Sequence, residues 1–367
     1  MADTSLPSNV LIELCKGDEV VKKMKAATIV GPHSIKIIEV PIPTPAENEV
    51  LVQVKYVGIC GTDLKIYDGS IPYIKEGLLS FPTIPGHEWS GEVVGVGERV
   101  NKVKVGDCIT GECHIGYGVC SLCLEGRSNL CPDRMRVGII RKAGAFAEYL
   151  TIPEQGVHLL PASMSYKEGA LVEPLTIALY SLDKIENIAG SSVLVFGLGP
   201  IGLLVCQLAR SMGATTIIGV DTNPDRLREG MISGCDDVTS LTGEDLRNHI
   251  FEKTKGKGVN VVIEAAGIPE LFSLSVELAS LGGQISLLGL YHRNAEVPTS
   301  QIIAKDLRIY GNMASARVWD RAINLIATER IKLNSNTNHI VPFKEIQEAM
   351  NLAYNKESKA TKITIEF

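Results

Sequence analysis

The chain has 367 residues, of which 45% are hydrophobic and 21% charged, and its formal net charge is −6. This length predicts two domains with proper interiors, and the pI of about 5.7 argues against a nucleic-acid or anionic-membrane partner. No apolar run is long enough to predict a membrane span, and residues 1–23 lack the apolar region of a secretory signal. Nine cysteines without such a signal favour a cytoplasmic protein with reduced thiols, some of them metal-binding.

Residues 24 to about 160 predict a mostly-β part. Short β-branched runs alternate there with Gly and Pro, which is typical of strands joined by turns. The clearest runs lie at 50–57, 91–96 and 145–152. Residues 1–23 are expected to form a peripheral N-terminal extension without a chemical role.

The second part of the chain alternates strands with helices. Strands are predicted at 191–196, 215–220, 259–264 and 284–288, and helices at 171–182, 201–212, from 224, and at 270–281. This alternation predicts βαβ units and a parallel sheet, hence an α/β fold. Beyond residue 320 two helices precede a strand at 361–366, which we expect to return to the β-rich part. The predicted domains are therefore 24–182 together with 320–367, and 183–319.

A glycine-rich turn follows the strand at 193–196 and opens the next helix, with the sequence Gly197-Leu198-Gly199-Pro200-Ile201-Gly202. The first glycine permits a tight turn, the second lets the backbone approach a pyrophosphate, and the third allows close helix–strand contact. Asp221 ends the next strand, where a carboxylate binds the adenosine ribose and repels a 2′-phosphate, so NAD is favoured over NADP. Arg226 lies close enough to weaken this preference for NAD, or else its side chain stacks near the adenine or points to solvent.

Four side chains stand at positions where the local sequence does not explain their presence by a structural role. They are Cys60, His87, Glu88 and Glu173. A thiolate, an imidazole and carboxylates are the ligands of a catalytic zinc site that keeps one position open for substrate. The sequence therefore predicts zinc chemistry in the same chain as a dinucleotide turn.

These motifs occur in the order seen in zinc-dependent medium-chain dehydrogenases, and the chain resembles that family over nearly all of residues 24–367. The resemblance rests on the runs Gly58-Ile59-Cys60-Gly61-Thr62-Asp63, Pro85-Gly86-His87-Glu88, Val105-Gly106-Asp107, a cysteine lobe, Glu173-Pro174 and the Gly197 turn. It implies a GroES-like barrel catalytic domain, a Rossmann domain, zinc in the cleft between them, and a homodimer or homotetramer. It also implies that Cys60 and His87 are zinc ligands and that Glu88 and Glu173 supply the remaining one.

The glutamate at position 173 resembles the sorbitol, threonine and polyol dehydrogenase branch, because simple alcohol dehydrogenases usually carry a cysteine there. The run Gly86-His87-Glu88-Trp89-Ser90-Gly91 also resembles aminocyclitol-forming members. Thr62 lies two residues after Cys60, so its hydroxyl is expected to relay the substrate proton. Many relatives have a relay histidine where this chain has Lys65. This lysine relays the proton itself, contacts an anionic or hydroxyl-rich substrate, or is a solvated surface residue.

The cysteine lobe keeps three of the four positions that hold a structural zinc in the family, namely Cys120, Cys123 and Cys131. Tyr117 occupies the first position, and its phenol is a poor ligand near neutral pH. Three outcomes stay open: zinc with Cys113 as the fourth ligand, zinc with another fourth ligand, and no structural zinc.

The sequence thus predicts a zinc- and NAD-dependent dehydrogenase that oxidises a secondary alcohol of a polyol, sugar, cyclitol or amino-alcohol. One alternative is a threonine-type amino-acid 3-dehydrogenase, which would need a cation near the cleft for the carboxylate. Another is a zinc-free nucleotide-binding or structural relative, which the presence of Cys60 and His87 disfavours.

Overall fold

The computed structural model describes residues 22–291, 293–333, 339–355 and 361–367, so the predicted extension at 1–23 lies almost wholly outside the described residues. The described strands, in chain order, are β1 Lys23–Gly31, β2 Ser34–Pro41, β3 Glu49–Gly58, β4 Glu88–Val96, β5 Cys108–Gly111, β6 His114–Ile115, β7 Met135–Val137, β8 Arg141–Lys142, β9 Tyr149–Pro153, β10 Val157–Leu159, β11 Ser192–Phe196, β12 Thr216–Val220, β13 Asp237–Thr239, β14 Val259–Glu264, β15 Ala279–Leu287, β16 Arg308–Gly311, β17 His339–Pro342 and β18 Ile363–Glu366. The described α-helices are α1 Gly61–Tyr67, α2 Pro72–Lys75, α3 Ser121–Leu124, α4 Tyr166–Gly169, α5 Val172–Leu182, α6 Pro200–Ser211, α7 Pro224–Ile232, α8 Gly243–Lys253, α9 Pro269–Leu278, α10 Thr299–Ala304, α11 Trp319–Ala327 and α12 Ile346–Tyr354.

The β-rich part is built around a seven-stranded sheet. Its strands run in the order β10-β5-β4-β3-β18-β17, and β9 also pairs with β3. Buried and partly exposed residues alternate along most of β3, as expected for a strand with one face on a core. The last strand, β18, pairs antiparallel with β3, so the end of the chain lies beside the segment that leads to Cys60.

The α/β part has a six-stranded parallel sheet in the order β13-β12-β11-β14-β15-β16. The order runs outward in both directions from β11, and this is the doubly wound arrangement in which ligands bind at the carboxyl ends of the central strands. The predicted fold class, a Rossmann sheet with a mostly-β second part, is confirmed.

Helix α5 connects the two parts. Its apolar side packs against α6 and α11 in the core beneath the parallel sheet. Its first turn carries Glu173, which is buried and lies close enough to His87 for their charges to interact. The helix therefore anchors in one part while it places a carboxylate at the other.

Several local predictions differ from the structure. The strand predicted at 145–152 is β9, which starts at Tyr149, and the strand predicted at 361–366 is β18, which starts at Ile363. The helix predicted at 270–281 ends at Leu278, because Ala279 already pairs with Val259 as the start of β15. The sequence reading also missed α8 and α10, whose short apolar faces give a weak helical period. Among the described residues, no helix combines the length and the apolar character that crossing a membrane requires.

Candidate metal and dinucleotide site

The structure brings three predicted metal ligands together. The ligand atoms of Cys60, His87 and Glu88 all lie within 4.8 Å of one another. Cys60 stands at the N-terminus of α1, whereas His87 and Glu88 lie where the chain enters β4. A thiolate, an imidazole and a carboxylate that converge in this way fit Zn²⁺ better than the oxygen-seeking Mg²⁺ or Ca²⁺.

Asp63 ties the two ligand-bearing segments together. One of its carboxylate oxygens, Oδ2, accepts a hydrogen bond from the Cys60 N–H at 2.8 Å. The other, Oδ1, accepts from the Gly86 N–H at 3.1 Å and lies 3.5 Å from His87 Nδ1. A carboxylate on one ring nitrogen orients a histidine so that the other nitrogen can bind metal. Burial alone would lower the pKa of His87, but the charge of Asp63 and of the nearby thiols raises it well above its ordinary value.

A buried lysine that sequence reasoning missed lies beneath the ligands. The Lys362 ammonium forms an ion pair with Glu88, and the side chains are only 4% and 3% exposed. It also donates to the Ile59 carbonyl at 2.9 Å. Burial alone would lower the pKa of Lys362, but the charges of Glu88 and Cys60 raise it. A Cβ atom at Gly58 would collide with the Glu88 carboxylate, so any larger residue there would displace this pair.

Glu173 lies near the three converging ligands without joining their 4.8 Å group. Burial raises its pKa to about 7, and the charge of Glu88 adds to this effect, while His87 and Lys362 oppose it. In this arrangement Glu88 is the glutamate nearest to Cys60 and His87, and Glu173 faces them from α5.

Thr62 and Lys65 lie on α1, directly after Cys60, and both are half-buried. The Lys65 ammonium lies 3.5 Å from the Leu290 carbonyl, across 225 residues of sequence, and its burial lowers its pKa. Leu290 in turn contacts Gly267, which lines the cleft beside the Gly197 turn. Lys65 therefore stands between the metal ligands and the α/β part.

The predicted dinucleotide turn joins β11 to α6. Gly197 has a φ of +87°, which glycine adopts without strain, and a Cβ at Gly202 would overlap the Gly197 carbonyl. Gly199 is the N-cap of α6, with Pro200 and then Ile201 in its first turn. The first turn of a helix carries N–H groups without an intrahelical acceptor, which favours an anion there. A cleft of about 720 Å³ runs from this turn past Asp221 and Gly267.

Asp221 lies at the end of β12 with its carboxylate fixed by the backbone. Its oxygens accept from the Leu198 N–H at 2.8 Å and from the Asn223 N–H at 2.9 Å. Arg226 Nη1 lies 3.6 Å from the same carboxylate. Asp221 thus presents a fixed negative charge to the cleft, and Arg226 partly offsets it.

The cysteine lobe forms a second group of potential ligands. The sulfur atoms of Cys120, Cys123 and Cys131 lie within 4.8 Å of one another, and the Tyr117 and Gly118 N–H groups donate to two of them. Cys113 is elsewhere: its charge interacts with those of His87, Glu173 and Cys60, and burial raises its pKa to about 12. A structural zinc with Cys113 as fourth ligand stays a prediction, and it would require this segment to rearrange.

Two protein families match the chain, the alcohol dehydrogenase GroES-like domain over residues 46–162 and the zinc-binding dehydrogenase over residues 200–328. The chain is 32% identical to a sorbitol dehydrogenase of Bacillus subtilis over 94% of this chain and 98% of that one. It is 33% identical to an L-threonine 3-dehydrogenase of the same species, over 88% and 92%. A zinc-binding dehydrogenase of Sinorhizobium meliloti, solved with NADP bound, superposes with a TM-score of 0.87 at 32% identity, over 94% of this chain and all of that one.

The chain therefore belongs to the zinc-dependent medium-chain dehydrogenases, in the branch of sorbitol and threonine dehydrogenases. This confirms the family resemblance and the class of enzyme predicted from the sequence: an alcohol or polyol dehydrogenase that uses zinc.

Proposed function

We propose that the protein oxidises a secondary alcohol of a polyol, sugar, cyclitol or amino-alcohol to a ketone, with NAD as the hydride acceptor. The observation that carries this proposal is the convergence of Cys60, His87 and Glu88 in a chain whose parallel sheet carries the Gly197 turn beside a cleft. Lys65 supports the connection between the two, because it reaches from the helix after Cys60 to Leu290.

Cys60, His87 and a glutamate would hold Zn²⁺, with Asp63 orienting the histidine. Bound Zn²⁺ supplies a Lewis acid that lowers the pKa of a substrate hydroxyl. Thr62, which lies two residues after Cys60 and is half-buried, relays the released proton through its hydroxyl. Lys65 passes that proton to solvent or binds a substrate oxygen, and its lowered pKa suits the first role.

NAD is the proposed cofactor because Asp221 places a carboxylate where NADP would carry its 2′-phosphate. Arg226 already faces Asp221 at 3.6 Å, so its charge is partly used within the protein. Glu264 fixes the opposite wall of the cleft, since it accepts from the Gly267 N–H at 2.9 Å and from the Tyr291 hydroxyl at 2.7 Å.

The test is NADH formation across a panel of polyols, amino-alcohols and L-threonine, before and after zinc is removed with a chelator. Cys60→Ser is the ligand variant, and Cys108→Ser, in the same part of the chain but hydrogen-bonded to Tyr166, is its control. Mutating a group that only hydrogen-bonds to a metal ligand costs about 10–100-fold in metal affinity or activity. Cys60→Ser removes a ligand itself, so we expect it to lose at least as much activity. Turnover that survives both zinc removal and Cys60→Ser would refute the proposal.

Three further points belong to the same proposal. Lys65→Ala should change the pH–rate profile or the substrate preference; if both stay as in the wild type, Lys65 has neither role.

We also propose a cytoplasmic homodimer or homotetramer, for which light scattering gives the mass directly. A zinc-free structural relative would bind no zinc and oxidise nothing in the panel.

A further inference from the structure

Two arginines beside the metal ligands carry positive charge without a matching carboxylate. Arg134 and Arg136 lie on either side of Met135, at the start of β7, and within the described part of the chain neither forms an ion pair. The acidic residues nearby are already occupied, because Asp133 pairs with Arg141 and Glu112 pairs with His158.

Several nitrogen atoms of this cluster are buried and have no partner among the described residues. They are Arg134 Nε, Arg136 Nη1 and His114 Nδ1. The rest of each arginine is held in place, since Arg134 Nη1 donates to the Cys131 carbonyl at 2.7 Å and the Arg136 guanidinium lies 4.6 Å from the Tyr73 ring centre. Fixed arginines with unsatisfied buried N–H groups are costly unless a ligand accepts those hydrogen bonds.

The three side chains are neighbours. His114 and Arg136 are directly opposite each other in the β6–β7 pair, where facing side chains lie about 5 Å apart. His114 also lies close enough to Arg134 and Arg136 for their charges to interact with it. The two guanidiniums keep a charge of about +2, and His114 adds a buried polar nitrogen beside them.

The cluster also lies next to the metal ligands. His114 borders the same narrow crevice as Cys113 and Glu173. Two residues beyond Arg136, the backbone of Gly138 packs directly on Gly86, which precedes His87. His114 and Gly138 thus connect the arginine cluster to the surroundings of the metal ligands.

We propose that Arg134 and Arg136, assisted by His114, form an anion subsite that binds the phosphate group of a phosphorylated polyol. The inference rests on the proposed function, because it assigns the far end of the same substrate. Two guanidiniums match a phosphate dianion in charge and offer paired N–H donors to its oxygens. A carboxylate also accepts paired hydrogen bonds from arginine but carries half the charge of a phosphate dianion, so the experiment includes both anions.

The test compares kcat/KM for glucitol 6-phosphate, glucitol, gluconate and L-threonine with NAD. We expect the phosphorylated polyol to exceed the unphosphorylated one by about 10–100-fold in the wild type, which is the size of one or two charge-assisted hydrogen bonds. In the double variant Arg134→Gln/Arg136→Gln this ratio should fall towards one, mainly through KM. Arg141→Gln, on the neighbouring strand with its charge already paired to Asp133, should keep the ratio.

A second measurement separates this inference from the proposed function. Binding of inorganic phosphate is followed by calorimetry with NAD present, so that the Gly197 turn is filled. Phosphate binding that the double variant loses and Arg141→Gln keeps supports the subsite even if no polyol is oxidised. Equal phosphate binding by all three proteins, a wild-type ratio near one, or a preference for gluconate or L-threonine over the phosphate ester would overturn it.

Discussion

Replacing Lys362 with methionine tests the ion pair beneath the metal ligands. The partner carboxylate of Glu88 would then be buried without its cation, since the two side chains are only 4% and 3% exposed. Removing one member of a buried pair costs about 3–5 kcal/mol of the free energy of unfolding. Methionine keeps most of the volume of lysine, so the cost of a cavity is small. We expect a loss of that size in urea unfolding of the zinc-free protein, followed by tryptophan fluorescence.

A double-mutant cycle shows whether the loss comes from the pair. Glu88→Gln removes the opposing charge, so Lys362→Met should cost much less when it is made in that background, with a coupling energy of about 1.5 kcal/mol or more. Lys23→Met is the control, because Lys23 and Glu39 form an exposed pair, with 63% and 65% of their side chains accessible, and such pairs contribute about 1 kcal/mol at most. Additive single losses, or a loss for Lys362→Met no larger than the control's, would refute this reasoning.

Three other predictions concern pH, cofactor and metal. Burial alone would raise the pKa of Asp237, but hydrogen bonds from Lys253 and His249 lower it. Asp237 therefore stabilises the fold above its unfolded-state pKa near 4, and this stabilisation is lost as the pH falls through its lower folded-state pKa. Asp237→Asn should lower the free energy of unfolding by about 0.5–1 kcal/mol at pH 7, and urea titrations should show this difference closing at acidic pH; a constant difference would contradict it. Asp221→Asn should reduce the preference for NAD over NADP in kcat/KM by about 10-fold, and an unchanged ratio would show that another residue sets it. Elemental analysis decides whether the cysteine lobe holds zinc: two zinc ions per wild-type chain that fall to one in Cys123→Ser would show a structural zinc, whereas a single zinc in the wild type would mean that the lobe is empty.

The sequence predicted the parts of the site that are continuous in the chain. The Gly197 turn is a strand, a turn and a helix start within a few residues, and its glycines are required by the backbone path itself. Cys60, His87 and Glu88 were found because each stands in a short motif, and the family resemblance supplied their grouping.

The sequence reading was weaker where a contact depends on packing. It offered Cys113 to the cysteine lobe because the two are close in sequence, yet this thiol, directly before β6, lies close enough to His87 for their charges to interact. It gave Arg134 and Arg136 no role, because a charged residue in a loop is usually solvated. Their proximity to His114 arises only from the β6–β7 pairing.

The amino-acid sequence by itself determined the fold class, the dinucleotide turn and the types of metal ligand, because strand and helix periods and short motifs depend on neighbours in the chain. Tertiary structure alone decided which charges are paired. Lys362 reaches the Ile59 carbonyl across 303 residues of sequence, and it meets Glu88 only because β18 joins the sheet beside β3. Hydrophobic pattern indicates that such a strand will be buried, but it does not specify the strand's neighbour or which charge faces its lysine.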